Sequence, residues 1–196
     1  MTVVCDISQV VARSRFHAMN TCTTTAWTTY ESPFGKLTLT ASTGGLNGLL
    51  FPGRASNFDE RHHRPDAFGP VVKQLDEYFA GARQTFELAV DLSDGTRFQR
   101  TIWTALQDVP YGETVSYGEL ARRVGRLDRV RAVGAAVGRN PLPIIVPCHR
   151  VIAADGKLTG YLGGLHRKQA LLDTEHAVAS GGGSTIEFGT RQLALL

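Results

Sequence analysis

Cysteine is scarce in this 196-residue chain. There are three, Cys5, Cys22 and Cys148, an odd number without close spacing. This argues against a disulfide framework and for a reducing compartment. No run of about 18 apolar residues exists, so no membrane-spanning helix is expected. The first 25 residues lack the basic start and apolar core of a secretory signal. Cys5, Cys22, His17 and the His62-His63 pair are too poorly spaced for a metal site, and no nicotinamide-binding motif is present. Neither metal nor cofactor is expected. A cytoplasmic protein is, nucleoid-associated if bacterial.

The charge that is present lies unevenly. The net charge is +3 at neutral pH, yet residues 1–96 hold 8 Lys/Arg against 10 Asp/Glu while residues 97–196 hold 13 against 8. Seven arginines fall within 116–150: Arg122, Arg123, Arg126, Arg129, Arg131, Arg139 and Arg150, against Glu119 and Asp128. A basic half suits a polyanionic partner, although a solvated helix face would carry the same charges.

Hydrophobic residues make up 42% of the chain and charged residues 20%, ordinary values for a globular protein of one large or two small domains. Residues 1–24 show no sustained period and read as an extension. Residues 27–31 and 36–41 read as strands around the turn Ser32-Pro33-Phe34-Gly35, with a third strand over 46–51. Residues 54–66 are polar loop. Val71, Val72, Leu75, Tyr78 and Phe79 recur at helical spacing over 68–80, before Gly81. Residues 86–92 alternate as a strand would, and Ser93-Asp94-Gly95 breaks the chain. Thr96-x-x-Gln99 and Ser116-x-x-Glu119 are capping-box patterns that open two helices. A short turn over 126–128 then leads to a third helix over 129–138, a helix-turn-helix arrangement. The expected fold is α+β. A small N-terminal sheet-plus-helix lobe (25–92) precedes a mostly helical lobe (96–176) with a winged-helix-like helix-turn-helix and a cysteine loop. A flexible tail (177–196) follows.

The third helix carries two internal glycines, Gly134 and Gly138, each costing about 0.5–1 kcal/mol relative to alanine. A face of small residues permits close approach by another helix or by a nucleic acid, and the neighbouring arginines favour the latter. A narrow minor groove requires such a face.

The most informative segment is Asn140-Pro141-Leu142-Pro143-Ile144-Ile145-Val146-Pro147-Cys148-His149-Arg150-Val151. Its apolar run should be buried, with Cys148 at its end beside a base and a cation, the setting in which a thiol becomes a nucleophile. Taken alone, Cys-His is a weak signal, and an inert buried cysteine is the commoner case. The block Pro147-Cys148-His149-Arg150-Val151 resembles the active-site motif of the O6-alkylguanine-DNA alkyltransferases. So, in order and spacing, do Pro110-Tyr111-Gly112-Glu113-Thr114, Ser116-Tyr117, Arg131-Ala132-Val133-Gly134, Asn140-Pro141, Gly160-Tyr161, Gly163-Gly164, Lys168, Leu171, Leu172 and Glu175. The N-terminal lobe resembles the family more loosely, chiefly through Ser32-Pro33-x-Gly35.

The resemblance implies single-turnover transfer of an alkyl group from O6 of guanine in double-stranded DNA to Cys148. O4-alkylthymine is left open as a second substrate. Arg131 would replace an extruded nucleotide, Ala132, Gly134 and Gly118 would line the DNA, and Tyr117 would crowd a phosphate and donate a proton to the purine. Glu175 would orient His149, which would deprotonate Cys148 through a water. Carbonyls of Cys148 and Val151 would read the exocyclic amine, and the Tyr161 hydroxyl and Leu162 N–H would hold O6. Asn140 would tie the helix-turn-helix to the cysteine loop. Leu162 stands where relatives carry smaller or polar residues. Ser42 and Asn47 stand where some relatives bind zinc, so none is expected. The chain is expected to be a monomer, with cooperative DNA binding left open. A non-catalytic alkyltransferase-like lesion binder would lack Cys148. A helix-turn-helix regulator leaves the cysteine segment unexplained, and a Cys-His hydrolase has no use for the basic helices. Trp103 reads as core, Arg150 as paired with a carboxylate, His166 as surface, and Lys168 as either solvated or acting on the thiol.

Overall fold

The computed structural model describes residues 24–54 and 58–182. Cys5, His17 and Cys22, with all of the expected extension but residue 24 and residues 183–196 of the expected tail, lie outside these residues.

Three strands, β1 (Ala26–Ser32), β2 (Gly35–Ser42) and β3 (Gly45–Leu50), form an antiparallel sheet in the order β1-β2-β3. The first hairpin pairs Ser32 with Gly35. Ser32 Oγ accepts from Phe34 N–H at 3.1 Å, and Gly35 takes φ +90°, a left-handed conformation glycine adopts without steric cost. Leu37 and Leu39 are fully buried, but so nearly are Thr38 and Thr40. Strand β2 is central and covered on both faces, and Thr40 Oγ1 settles its polarity on Asn47 Oδ1 at 2.7 Å. The polar loop contains two short 3₁₀ turns, Glu60–His62 and Pro65–Phe68.

Helix α1 (Gly69–Phe79) buries Val71, Leu75, Tyr78 and Phe79 of the expected stripe against the sheet core and leaves Val72 half-buried. The strand expected over 86–92 does not form. Its only ladder contact is an isolated parallel bridge between Val90 and Leu46. Leu46 donates to Ala89 O and Asp91 donates to Leu46 O, but Leu49 gives its N–H to Pro141 O at 2.9 Å. The open edge of β3 is shared with the cysteine loop, so a fourth strand cannot run along it.

Helix α2 (Arg97–Gln107) starts with both halves of its capping box, Thr96 and Gln99. Trp103 is core, and its Nε1 donates to Ala136 O at 2.9 Å. Helix α3 (Tyr117–Arg123) has only half a box. Ser116 Oγ accepts from Glu119 N–H, while the Glu119 carboxylate turns outward to Arg122 and Arg123. A 3₁₀ turn (Leu127–Arg129) leads into α4 (Val130–Val137), slightly shorter than expected. Two short strands, β4 (Val115–Ser116) and β5 (Val151–Ile152), pair in parallel and join the start of the helix-turn-helix to the cysteine segment. The final helix, α5 (Leu165–Ala179), runs past the expected start of the tail at 177. No helix among the described residues is long and apolar enough to cross a membrane.

Candidate active site

The cysteine sits on a scaffold of backbone constraints. Leu142, Ile144, Ile145 and Val146 are buried as expected, but as a tight turn in which Val146 N–H donates to Leu142 O at 2.8 Å. Ile144 takes φ +78°, a conformation costing a β-branched residue about 1–3 kcal/mol. Asn140 holds the turn from inside. Its Oδ1 accepts from Leu142 N–H at 3.0 Å and its Nδ2 donates to Val146 O at 2.7 Å. Asn140 lies three residues past the end of α4, and the turn that it holds leads into Cys148.

Cys148, His149 and Arg150 form one turn of 3₁₀ helix, and all three are buried. Three residues per turn send successive side chains in different directions. His149 and Arg150 both reach Glu175 on α5. His149 Nε2 lies 2.8 Å from Glu175 Oε1. Arg150 donates Nε to Oε2 and Nη2 to Oε1, both at 2.9 Å, and Nη1 to Val109 O at 2.6 Å. Thus Arg150 pairs with a carboxylate and takes no part in the basic surface, whereas the other six arginines of 116–150 are exposed.

Burial alone would raise the Glu175 carboxyl, but His149 and Arg150 beside it hold it well below its ordinary value. An ionised carboxylate only accepts, so His149 donates Nε2–H and keeps a lone pair on Nδ1, which has no partner among the described residues. Burial lowers the imidazole's pKa against the opposing pull of Glu175, so it stays neutral. Burial pushes the Cys148 thiol up to about 11, opposed by the Asn140 amide and the Lys168 ammonium. At neutral pH the thiol therefore rests protonated, next to a neutral base.

Lys168 is not solvated. It is wholly buried and donates Nζ to Val151 O at 2.6 Å and to Thr159 O at 2.8 Å. The Val151 carbonyl therefore already has one donor, and its second lone pair remains. Cys148 O accepts from Val151 N–H. Tyr161 stands edge-on to His149, ring centroids 6.5 Å apart, with its buried hydroxyl unpartnered among the described residues. Leu162 follows it, half-buried. Gly163 packs against Phe51 so closely that a Cβ there would lie 2.7 Å from the ring. Thr159 Oγ1 donates to the Tyr117 hydroxyl at 3.4 Å, while the Thr159 carbonyl accepts from Lys168. A separate cleft of about 210 Å³ lies behind the turn, touching Pro147 and Arg150 but not Cys148.

Ala132, Ala135 and Gly138 leave α4 with an exposed face of small residues, and Arg131 beside them is exposed without a side-chain bond among the described residues. Gly134 abuts Tyr117, where a Cβ would sit 3.6 Å from the ring. Gly118 lies half-exposed in the first turn of α3. Ser42 Oγ is bonded to Asp91. His63 packs against the Trp27 ring, and His166 is exposed. Two contributors escaped the sequence reading as site residues. Tyr78 donates its hydroxyl to Glu175 Oε1 at 2.7 Å, and Gly112 its N–H to Oε2 at 3.2 Å. Tyr78 had read as one member of an apolar helical stripe, and no local signal sets it apart.

Two family models match the chain. One described as 6-O-methylguanine DNA methyltransferase, ribonuclease-like domain, matches residues 25–92, and one described as 6-O-methylguanine DNA methyltransferase, DNA binding domain, matches residues 97–177. The chain belongs to this methyltransferase family. A methylated-DNA--protein-cysteine methyltransferase of Mycobacterium bovis is 49% identical over 153 residues, covering 77% of this chain and 92% of the relative. One from Methanosarcina acetivorans is 43% identical, covering 74% and 95%. Among solved structures, Mycobacterium tuberculosis OGT in complex with DNA superposes with a TM-score of 0.73 at 49% identity, covering 78% of this chain and 94% of that one. An α+β methyltransferase fold thus underlies the site.

Proposed function

We propose that this protein repairs O6-alkylguanine in double-stranded DNA by moving the alkyl group irreversibly to Cys148, once per molecule. The observation that carries the reading is the buried Cys148 thiol on one turn with His149, whose ring is held by Glu175, in a chain of this family. The resting thiol needs a base, and His149 Nδ1 is the available lone pair.

In the reaction, His149 takes the Cys148 proton, through a water, as Sγ attacks the alkyl carbon. The carbon–O6 bond breaks, its electron pair passes to the guanine, and Tyr117 donates a proton to the purine ring. His149 then returns its proton to solvent and Tyr117 recovers one from it. The Tyr161 hydroxyl and Leu162 N–H hold O6, and the carbonyls of Cys148 and Val151 accept from the exocyclic amine. The base reaches the pocket by flipping, with Arg131 filling its place in the stack and Ala132, Gly134 and Gly118 against the backbone. A thioether product has no easy route back to thiol, so one protein repairs one lesion. The setting is the cytoplasm, where DNA and reducing conditions coincide.

A purely binding role is disfavoured because Cys148 is present. A sequence-reading regulator is disfavoured because α4 offers mostly alanine and glycine to the grooves. Titrating a fixed amount of protein with duplex DNA carrying O6-methylguanine tests the proposal. Repair should stop at one lesion per protein molecule. Continued turnover, or none, contradicts it.

A further inference from the structure

The carboxylate that orients His149 is itself held by the N-terminal lobe. Tyr78, on α1 and 97 residues from Glu175, donates its hydroxyl to Glu175 Oε1 at 2.7 Å, with both side chains buried. Its ring is fixed by Phe79, Phe86 and Tyr111, at centroid separations of 5.5, 5.2 and 6.0 Å. The Tyr111 ring in turn lies under the Arg150 guanidinium. Five donors converge on Glu175: Tyr78, His149 and Arg150 Nη2 on Oε1, and Arg150 Nε and Gly112 N–H on Oε2. A carboxylate has about four lone-pair sites. Oε1, which faces His149, is therefore shared three ways.

We infer that Tyr78 is a positioning residue for the transfer reaction, its phenol fixing Glu175 and limiting how strongly that carboxylate draws His149 toward the protonated form. The inference rests on the transfer to Cys148 proposed above. Burial beside the carboxylate keeps the phenol protonated well above its ordinary range, so it donates throughout the working pH range. A donor that takes density from Oε1 leaves less for the Nε2–H of His149. His149 then remains neutral to lower pH and able to accept the Cys148 proton. The other groups that act on the imidazole are Arg150 on its own turn and Lys168 on α5, with Tyr161 on the loop before α5 and Cys148 itself alongside. All of them are retained in a protein altered only at Tyr78.

The test uses single-turnover alkylation by O6-benzylguanine as a function of pH, which bypasses DNA binding. Tyr78→Phe keeps the ring and removes the donor. Its acid limb should move to higher pH by about half a unit to one unit, the scale of one hydrogen bond. Phe86→Leu loosens the packing on the same ring but leaves the hydroxyl, and should lower the unfolding midpoint without moving the limb. Replacing Tyr78 with 3-fluorotyrosine, close in shape and a stronger donor, should move the limb to lower pH, and serves alone if Tyr78→Phe does not fold. An unmoved limb in the fluorotyrosine protein, or an equal shift in Phe86→Leu, overturns the inference while leaving wild-type transfer intact. Absence of transfer in the wild type would instead remove the proposed function and this inference with it.

Discussion

His149 and Glu175 are 26 residues apart in the chain and 2.8 Å apart in the fold. The same carboxylate neutralises the buried Arg150 guanidinium. Glu175→Gln would leave that cation uncompensated, and should cost about 3–5 kcal/mol in denaturant unfolding as well as slowing transfer. Acid unfolding gives a second reading of the same group. Its folded pKa lies below its ordinary 4.5. The stability it contributes is therefore full above pH 4.5 and is lost as pH falls through the folded value. Wild type should lose stability below that point more steeply than Glu175→Gln.

Lys168 is a buried ammonium that favours the charged form of the Cys148 thiol. Lys168→Met should raise the thiol's pKa and slow reaction with O6-benzylguanine about tenfold at neutral pH, the effect of one pKa unit. The deficit should shrink as pH rises, and a pH-independent deficit would assign Lys168 to holding the Val151 and Thr159 carbonyls alone.

Arg131 lies on the exposed face of α4, away from the buried thiol. Arg131→Ala should reduce repair of duplex DNA at least tenfold, equivalent to about 1.4 kcal/mol, while changing the rate with free O6-benzylguanine little. Equal losses on both substrates would count against its role in flipping.

Gly163 is the point where the pocket loop meets the N-terminal sheet. A Cβ there would lie 2.7 Å from Phe51 Cε2 and 2.9 Å from Tyr161 Cε1. Gly163→Ala must push one ring aside, with a cost of about 1–3 kcal/mol. Thermal unfolding and alkylation should both register it, because Tyr161 borders His149. Wild-type values for both would contradict this packing.

Much of this was legible in the chain. Thr96 and Gln99 stand at capping-box spacing and close it on both sides, and Leu37 and Leu39 mark the sheet core. The segment 140–151 announced a buried cysteine beside a base. What was not legible depends on partners distant in sequence. Residues 86–92 alternate like a strand, but alternation cannot reveal that Pro141 takes the Leu49 N–H. Glu119 follows Ser116 at capping-box spacing, yet spacing alone cannot rank the Ser116 N–H against Arg122 and Arg123 as its partner. Lys168 and Tyr78 sit on helices whose pattern predicts surface or core, and only the docking of α5 and α1 around the cysteine turn turns them toward Val151 and Glu175.

Repair by this route makes one new covalent bond, from Cys148 Sγ to the alkyl carbon. Intact-mass measurement after incubation with duplex DNA containing O6-methylguanine should show a gain of about 14 Da, the replacement of S–H by S–CH₃. Peptide mapping should place it on Cys148, and Cys148→Ala should show none. DNA binding without a mass gain, or a gain that survives Cys148→Ala, would contradict the account.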